Sequence, residues 1–361
     1  MGNKKKSRKG TRIALGIVSV LLAVVLVIMA TTTILAETIL GNMNYEEKGQ
    51  SESLSYEEAL ALKEQATIGS TTEGTEDVDE SMIGTEMSED EVNLDVEIKN
   101  VIGDEKHITN ILLIGQDSLK GVRERSDTML LVTVNTEKNS ITITSFMRDM
   151  YVKIPGYYKE KLNAAYMLGG MDLLNETLYQ NFGVVVDHDV EVSFNQFQEI
   201  INYLGGIDME VTTKEANFIN EKSIGHKPIS AGMNHLNGTQ ALHYARFRDK
   251  TTGDFGRTER QRKLMNKLIE EYKNSDLTTM IGMVNEIMGM ITTNMTKAEV
   301  LNYAVKFFPM LATAEINSQR VPFDGKHTNG KDYYYLAMID GISVVVARMD
   351  ENVEKLAESL S

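Results

Sequence analysis

The chain has 361 residues, with 37 Lys and Arg against 52 Asp and Glu, a formal net charge of −15, and no cysteine. The absence of cysteine removes thiol nucleophiles, thiolate metal sites, disulfide staples and thiol redox chemistry. The acidic balance argues against nucleic-acid binding, whose footprint is a basic face.

The charge is unevenly distributed. Residues 1–12 hold Lys4, Lys5, Lys6, Arg8, Lys9 and Arg12 and no acid, and Ile13–Ala36 then carries no charged side chain. At about 1.5 Å per residue such a run is long enough to cross the hydrocarbon core with some tilt. It exceeds the apolar region of a cleaved signal peptide, and no A-x-A site follows it. It is therefore predicted to be a retained transmembrane helix (13–36). The basic tail (1–12) would lie in the cytoplasm and everything after Glu37 outside.

From Glu37 to Lys106 there are twenty acids and four lysines, few large apolar residues, and much Gly, Ser and Thr. This composition predicts a flexible extracytoplasmic tether over 37–107, with short helical turns near Ser55–Lys63. Residues 108–361 are then only mildly acidic and form the predicted folded domain. In chain order, Thr109–Gly115, Met129–Val134 and Ser140–Phe146 read as strands, the last alternating Ile and Thr. Leu162–Leu168 and Met171–Phe182 have helical spacing, interrupted by Gly169-Gly170. Val184–Val192 and Ile207–Val211 read as strands around a helix at Phe194–Leu204.

Helices are predicted at Gln240–Arg246, Thr258–Lys273, Leu277–Met290 and Lys297–Leu311, then a strand at Gln319–Pro322 and a closing helix at Ile342–Ser359. Strands interleaved with helices give an α/β class, a layered α-β-α domain around a central mixed sheet.

One segment opposes the general acidity. From Arg246 to Lys263 seven basic residues face three acidic ones. Guanidinium groups match phosphate oxygens in forked geometry and keep their proton. Arg246 and Arg248 can face one ligand only if the preceding helix ends near Ala245 and the chain then runs extended. Asp254, Arg257 and Gln261 fall on one face of a helix. Two local alternatives stay open: Asp254 as a helix cap, and Thr258 with Gln261 as a capping box.

Asp117 follows the first strand and Asp127 opens the second. If those strands are neighbours, both carboxylates share a sheet rim with Arg123 and Arg125, a place where ligands gather in α/β sheets. Two carboxylates with open positions suit Mg2+, although acids beside strands are also ordinary turn residues. The Arg148-Asp149 pair after the third strand fits either a structural ion pair or a phosphate clamp. The six histidines have no ligand spacing, and no P-loop, serine elbow or dinucleotide fingerprint is present.

The stretches N-I-L-L-I-G-Q-D (Asn110–Asp117), R-S-D-T-M (Arg125–Met129), S-F-M-R-D-M-Y-V (Ser145–Val152) and K-L-N-A-A-Y-M-L-G-G (Lys161–Gly170) point to a family. So do Leu204-Gly205-Gly206 and the run L-N-G-T-Q-A-L-H-Y-A-R-F-R…G-D-F-G-R-T-E-R-Q-R. Together they resemble the LytR–CpsA–Psr proteins of Gram-positive cell envelopes.

The resemblance implies a membrane-anchored enzyme that moves a glycopolymer, of the teichoic acid or capsular polysaccharide class, from a polyprenyl pyrophosphate carrier to peptidoglycan. It implies Mg2+, with Mn2+ as an alternative, held by Asp117 and Asp127. Arg148, Arg246, Arg248, Arg257 and Arg125 would bind the pyrophosphate with support from Gln261. Asp254 would be the base for the acceptor hydroxyl, acting with Arg257 and Arg148, and the prenyl chain would enter an apolar pocket. The partners implied are the lipid-linked glycan donor, peptidoglycan and the lipid bilayer, with no nucleic acid. Gln116 and Met147 depart from the family pattern, which has a small residue and proline there. A non-catalytic lipid–glycan binder and a metal-dependent pyrophosphatase are the competing readings.

Overall fold

The structure is a computed structural model that describes residues 44–45, 49, 51–70, 84–103, 105–116, 124–273, 286–296, 299, 303, 307, 310 and 312–361. The predicted transmembrane segment, Asp117, Arg123 and most of the two helices predicted over 277–311 lie outside them. Among the described residues no helix is long and apolar enough to cross a membrane.

The principal elements, in chain order, begin with α1 (Tyr56–Ser70), β1 (Ile108–Gln116), β2 (Thr128–Asn135), β3 (Ser140–Phe146) and α2 (Leu162–Phe182). There follow β4 (His188–Ser193), α3 (Phe194–Tyr203), β5 (Ile207–Val211), α4 (Thr213–Lys222), β6 (Gly232–Leu236), α5 (Gly238–Arg246) and α6 (Gly253–Tyr272). The last elements are β7 (Glu315–Val321), β8 (Tyr334–Ile339), β9 (Ile342–Ala347) and α7 (Met349–Leu360).

These elements divide between two compact units. One comprises Met1–Tyr45, Val192–Phe247 and Glu259–Ala314; the other comprises Glu46–Glu191, Arg248–Thr258 and Glu315–Ser361. The chain passes between them five times, among them at Phe247/Arg248 and within α6.

In the second unit, the His188–Glu191 part of β4, then β1, β2, β3 and β7 lie side by side in that order. The β1–β2 and β2–β3 pairs are antiparallel and β3–β7 is parallel, so the sheet is mixed, as the sequence predicts. β1 is buried along nearly its whole length, which explains its continuous apolar run. Leu112, Ile114, Leu131 and Phe146 form one core with Leu174, Leu178 and Phe182 of α2 and Leu356 and Leu360 of α7. The Phe146 and Phe182 rings meet at 5.3 Å. Within α2 the backbone leaves helical geometry at Gly169 and Gly170, the interruption that the two glycines predict.

Two expectations change. The closing helix predicted over Ile342–Ser359 is instead β9 followed by α7. Ile339 pairs with Ile342 across Asp340-Gly341, both at positive φ, so the two residues form a tight hairpin turn. Ile342 and Val344–Val346, all β-branched, then pair with β8 rather than coiling.

Second, the described part of the acidic segment read as a tether, from Gly49 onward, packs into this unit. Leu54 N donates to Leu168 O at 2.8 Å, and the Gly49 and Ser51 amides donate to the Asp172 carboxylate. Val92 and Leu94 are buried with Tyr151, Val344 and Val346. Ile102 N donates to Gly183 O at 2.8 Å. Sparse apolar residues suffice because each one used is covered by the domain rather than by its own neighbours.

The first unit is helical around the antiparallel pair of β5 and β6, which α4 separates in the chain. α3, α4 and α5 each open with a reciprocal capping box, Ser193/Gln196, Thr212/Glu215 and Asn237/Gln240, worth about 1 kcal/mol apiece. His235 of β6 reaches Asp208 Oδ1 at 2.7 Å and Gly205 O at 2.6 Å. Only an imidazolium donates to both acceptors. Gly206, at φ 97°, lies so close that a Cβ there would stand 2.6 Å from His235 Nε2. The Gly205-Gly206 pair thus makes room for this histidine, beyond the simple turn its sequence suggests.

Candidate functional site

The site is built on one sheet edge of the second unit. Gly115 pairs with Thr128, and Asp127 N donates to Gly115 O at 2.9 Å, so Asp127 sits where β1 ends and β2 begins. Leu130 pairs with Ser145, which brings the end of β3, and Arg148 just beyond it, to the same edge. Arg148 Nη1 donates to Asp127 Oδ1 at 2.5 Å, and Arg148 Nε lies 3.5 Å from Asp149 and 3.4 Å from Asp254.

The first turn of α6 completes the cluster. Arg257 Nη2 stands 2.8 Å from Asp254 Oδ1, three residues earlier on the same face. Its Nη1 lies 3.6 Å from Asp127 Oδ1, and Nη2 also donates to the Asp127 carbonyl at 3.1 Å. Arg248 approaches Asp254 at 3.6 Å. Lys161, just before α2, holds Asp149 Oδ1 at 3.0 Å. Four cations therefore interleave with three carboxylates, leaving one positive charge in excess.

Burial sets the electrostatics. It lifts the Asp254 carboxyl above its usual range; Arg257, Arg148 and Arg248 pull the other way without prevailing, while Asp149 adds to the lift. Burial pushes Arg257 down to about 10, opposed by Asp254 and aided by Arg148 and Arg248. It therefore stays charged at neutral pH. For Arg148, burial is outweighed by Asp149, Asp254 and Asp127, which raise it. Burial likewise acts against an ionised Asp149, but Lys161 and Arg148 draw it below its ordinary value.

Charge pairing here is denser than hydrogen bonding: both Asp254 oxygens and the Nε atoms of Arg148 and Arg257 are buried without a hydrogen-bond partner. A cluster with unspent donors and surplus positive charge can accept a tetrahedral oxyanion such as phosphate.

Of the residues singled out in the sequence, Asp127, Arg148, Arg248, Asp254 and Arg257 converge. Arg125, in the same unit, faces Glu160 at 3.9 Å rather than the cluster. Arg246 and Gln261 belong to the first unit. The Arg246 guanidinium covers the Phe194 ring at 4.4 Å, and Gln261 Nε2 donates to Ala245 O at 3.5 Å. α5 ends at Arg246 and Phe247 is extended, the break required between Arg246 and Arg248. The Thr258/Gln261 capping box is not formed: α6 starts at Gly253, and Thr258 inside it donates to Phe255 O.

Sequence reasoning missed Lys161 and left Asp149 undecided. Lys161 lies in the K-L-N-A-A-Y stretch, and only its pairing with an aspartate adjacent to Arg148 marks it as part of the site.

Carboxylates are the ligands a hard cation takes, but Asp127 and Asp254 are already paired with Arg148, Arg248 and Arg257. Among the described residues no group of three or more His, Asp or Glu is arranged to hold a metal, and Asp117 is not among them.

Comparison with known proteins gives a consistent result. Residues 67–349 match the LytR_cpsA_psr family. The regulatory protein MsrR of Staphylococcus aureus is 32% identical over 221 residues, covering 60% of this chain and 65% of MsrR. The chain thus spans just under two thirds of that relative's length. The polyisoprenyl-teichoic acid–peptidoglycan teichoic acid transferase TagU of Bacillus cereus is 32% identical over 231 residues, 63% of this chain and 73% of TagU. A solved structure of TagT bound to LIIa-WTA aligns with a TM-score of 0.57 at 25% identity, covering 73% of this chain and 93% of that one.

Proposed function

This chain belongs to the LytR_cpsA_psr family, and from that premise we propose that it transfers a glycopolymer from a polyprenyl pyrophosphate carrier to peptidoglycan. The polymer would be of the teichoic acid or capsular polysaccharide class. The observation that carries this reading is the convergence of Arg148, Arg248 and Arg257 on Asp127 and Asp254. Phosphoryl transfer asks for positioning and neutralisation of charge rather than covalent help. Three guanidiniums of fixed charge supply both for a diphosphate.

Arg148, Arg248 and Arg257 grip the diphosphate oxygens. Asp254, lifted by burial, accepts the proton of the acceptor sugar hydroxyl. The hydroxyl oxygen forms a bond to the glycan-side phosphorus, the bridging P–O bond breaks, and polyprenyl phosphate leaves. Asp149 and Lys161 hold the Arg148 side of the cluster in place. Asp117 and Asp127 are the proposed holders of Mg2+ or Mn2+, which when bound would neutralise further charge on the diphosphate. Arg246 and Gln261, carried by the first unit, take no part in the steps assigned here. Ile13–Ala36 is the proposed anchor, with the domain outside the membrane near its lipid donor.

TagU is named for this transfer and TagT for a bound LIIa-WTA, which supports the substrate class. The test is transfer of a synthetic polyprenyl-pyrophosphate saccharide to peptidoglycan by Asp127→Ala and Arg248→Ala, each checked for folding. Loss of transfer in both folded variants is expected; retained activity in both would rule the reading out. Tight donor binding without turnover by the unaltered chain would point to a non-catalytic binder. Release of glycan phosphate without peptidoglycan would point to a pyrophosphatase.

A further inference from the structure

The ion cluster joins two elements, the edge after β3 and the first turn of α6. Its contacts are charges of both signs, and three of its cations repel one another. A second connection lies beside it in the same unit.

β7 runs parallel to β3, with Arg320 opposite Ser145 and Val321 opposite Phe146. Arg320 therefore reaches the edge that delivers Arg148 shortly afterwards, and Met147 N donates to Val321 O at 3.0 Å. The Arg320 side chain is 6% exposed. Its Nε donates to Pro322 O at 3.2 Å and its Nη2 pairs with Asp324. The guanidinium carbon lies 4.4 Å from the centroid of the Phe255 ring and 5.9 Å from that of Tyr334. Those two rings stack at 5.1 Å with planes 28° apart. Phe255 directly follows Asp254 and stands two residues before Arg257.

We infer that Arg320 is a positioning residue: its guanidinium, with Tyr334, clamps Phe255 and thereby fixes the turn that carries Asp254 and Arg257 against the Arg148 edge. An aliphatic side chain could cover the same ring, but a buried guanidinium is tolerated only when paired. Here the pairing to Pro322 O and Asp324 anchors the guanidinium that covers the ring, so Arg320 contributes direction as well as contact. Arg320 touches no proposed substrate atom. The inference deepens the transfer reading and rests on it for its activity arm alone.

The experiment uses the full chain with Arg320→Ala, Phe255→Leu and the double variant. In Arg320→Ala, the turnover of lipid-linked saccharide should fall roughly tenfold, less than the ~100-fold that a full 1 Å displacement brings. The donor KM should move less than about twofold, because the guanidiniums that grip the diphosphate remain. Hydrogen exchange of the Gly253–Thr258 amides should quicken roughly tenfold.

The two single losses should not add, since either substitution breaks the same clamp. Exchange that is unchanged in Arg320→Ala, or fully additive losses in the double variant, overturns the inference. If Arg320→Ala does not fold, exchange in Phe255→Leu decides: unchanged protection of Gly253–Thr258 overturns the clamp. If the unaltered chain transfers nothing, the function fails, and the exchange measurement alone still decides on Arg320.

Discussion

Replacing Asp254 by asparagine separates the catalytic value of this carboxylate from its structural value. Its Oδ1 lies 2.8 Å from Arg257, 3.4 Å from Arg148 and 3.6 Å from Arg248, so a reading from contacts alone predicts a large loss of stability. Burial reverses that expectation, because it outweighs all three guanidiniums and leaves the carboxyl raised. The charged form is thus not a net stabiliser. Arg257 keeps the Asp127 carboxylate at 3.6 Å and the Asp127 carbonyl at 3.1 Å, and Arg148 keeps Asp127 and Asp149. Asn has the same shape, and the variant should stay within about 1 kcal/mol of the parent stability.

Turnover should fall far more. A positioned base contributes about 100- to 10,000-fold, or roughly 3–5 kcal/mol of barrier. The assay pairs release of polyprenyl phosphate from a synthetic donor, in the presence of peptidoglycan, with a thermal melt followed by circular dichroism. A folded Asp254→Asn that turns over within about tenfold of the parent would falsify the role of Asp254 as base. A loss of several kcal/mol in stability would refute the argument from burial.

Arg148→Ala should leave Asp127 to Arg257 alone and Asp149 to Lys161 alone, weakening donor binding by about 2–3 kcal/mol, or roughly 30- to 150-fold, in a titration with inorganic pyrophosphate; unchanged affinity would place the diphosphate elsewhere. Glu271, which burial and the charge of Asp208 push up to about 7 from an ordinary 4.5, gives a pH effect. A carboxyl raised in the fold stabilises below its unfolded value, and that contribution is lost as pH rises from about 4.5 to 7. Glu271 is only half-buried, so the effect is discounted to about 1 kcal/mol. Glu271→Gln should flatten stability across that window and raise the melting temperature at alkaline pH; a profile parallel to the parent refutes it. Gly206→Ala sets a Cβ 2.6 Å from His235 Nε2 at a backbone φ of 97° and should cost about 2–4 kcal/mol, read from urea unfolding. A loss below about 0.5 kcal/mol would show that the His235 contacts yield freely.

Much of this architecture is visible in the residues. β3 and β5 match their predicted ranges because period-two alternation needs no tertiary context to be read. The basic run after Arg246 stands out against an acidic chain, and its Asp254–Arg257 pairing follows from helical spacing. What escaped notice depends on neighbours far along the chain. Asp149 looks like a local partner of Arg148 until Lys161 folds against it. Val92 and Leu94 lie in a segment too acidic to predict order, and only β8, β9 and Tyr151 give them a place to bury. The Asp340-Gly341 hairpin was readable as a turn dipeptide, but the amphipathic residues after it extended the predicted helix backward over β9. Arg246 and Arg248 differ in no sequence property, yet one covers Phe194 and the other meets Asp254.

The order of the segments also constrains how the protein is made. The stretch Arg248–Thr258 returns to a unit whose earlier portion ends at Glu191 and whose last portion begins at Glu315. A ribosome therefore releases Asp127 and Arg148 long before their partners Asp254 and Arg257 exist. The charged centre closes late in synthesis, and the nascent sheet edge must remain solvated until then. Neither unit can be excised as one uninterrupted fragment, and a truncation ending ahead of Arg248 would lose β7, the core side chains of α7 and the anion-gripping half of the cluster together.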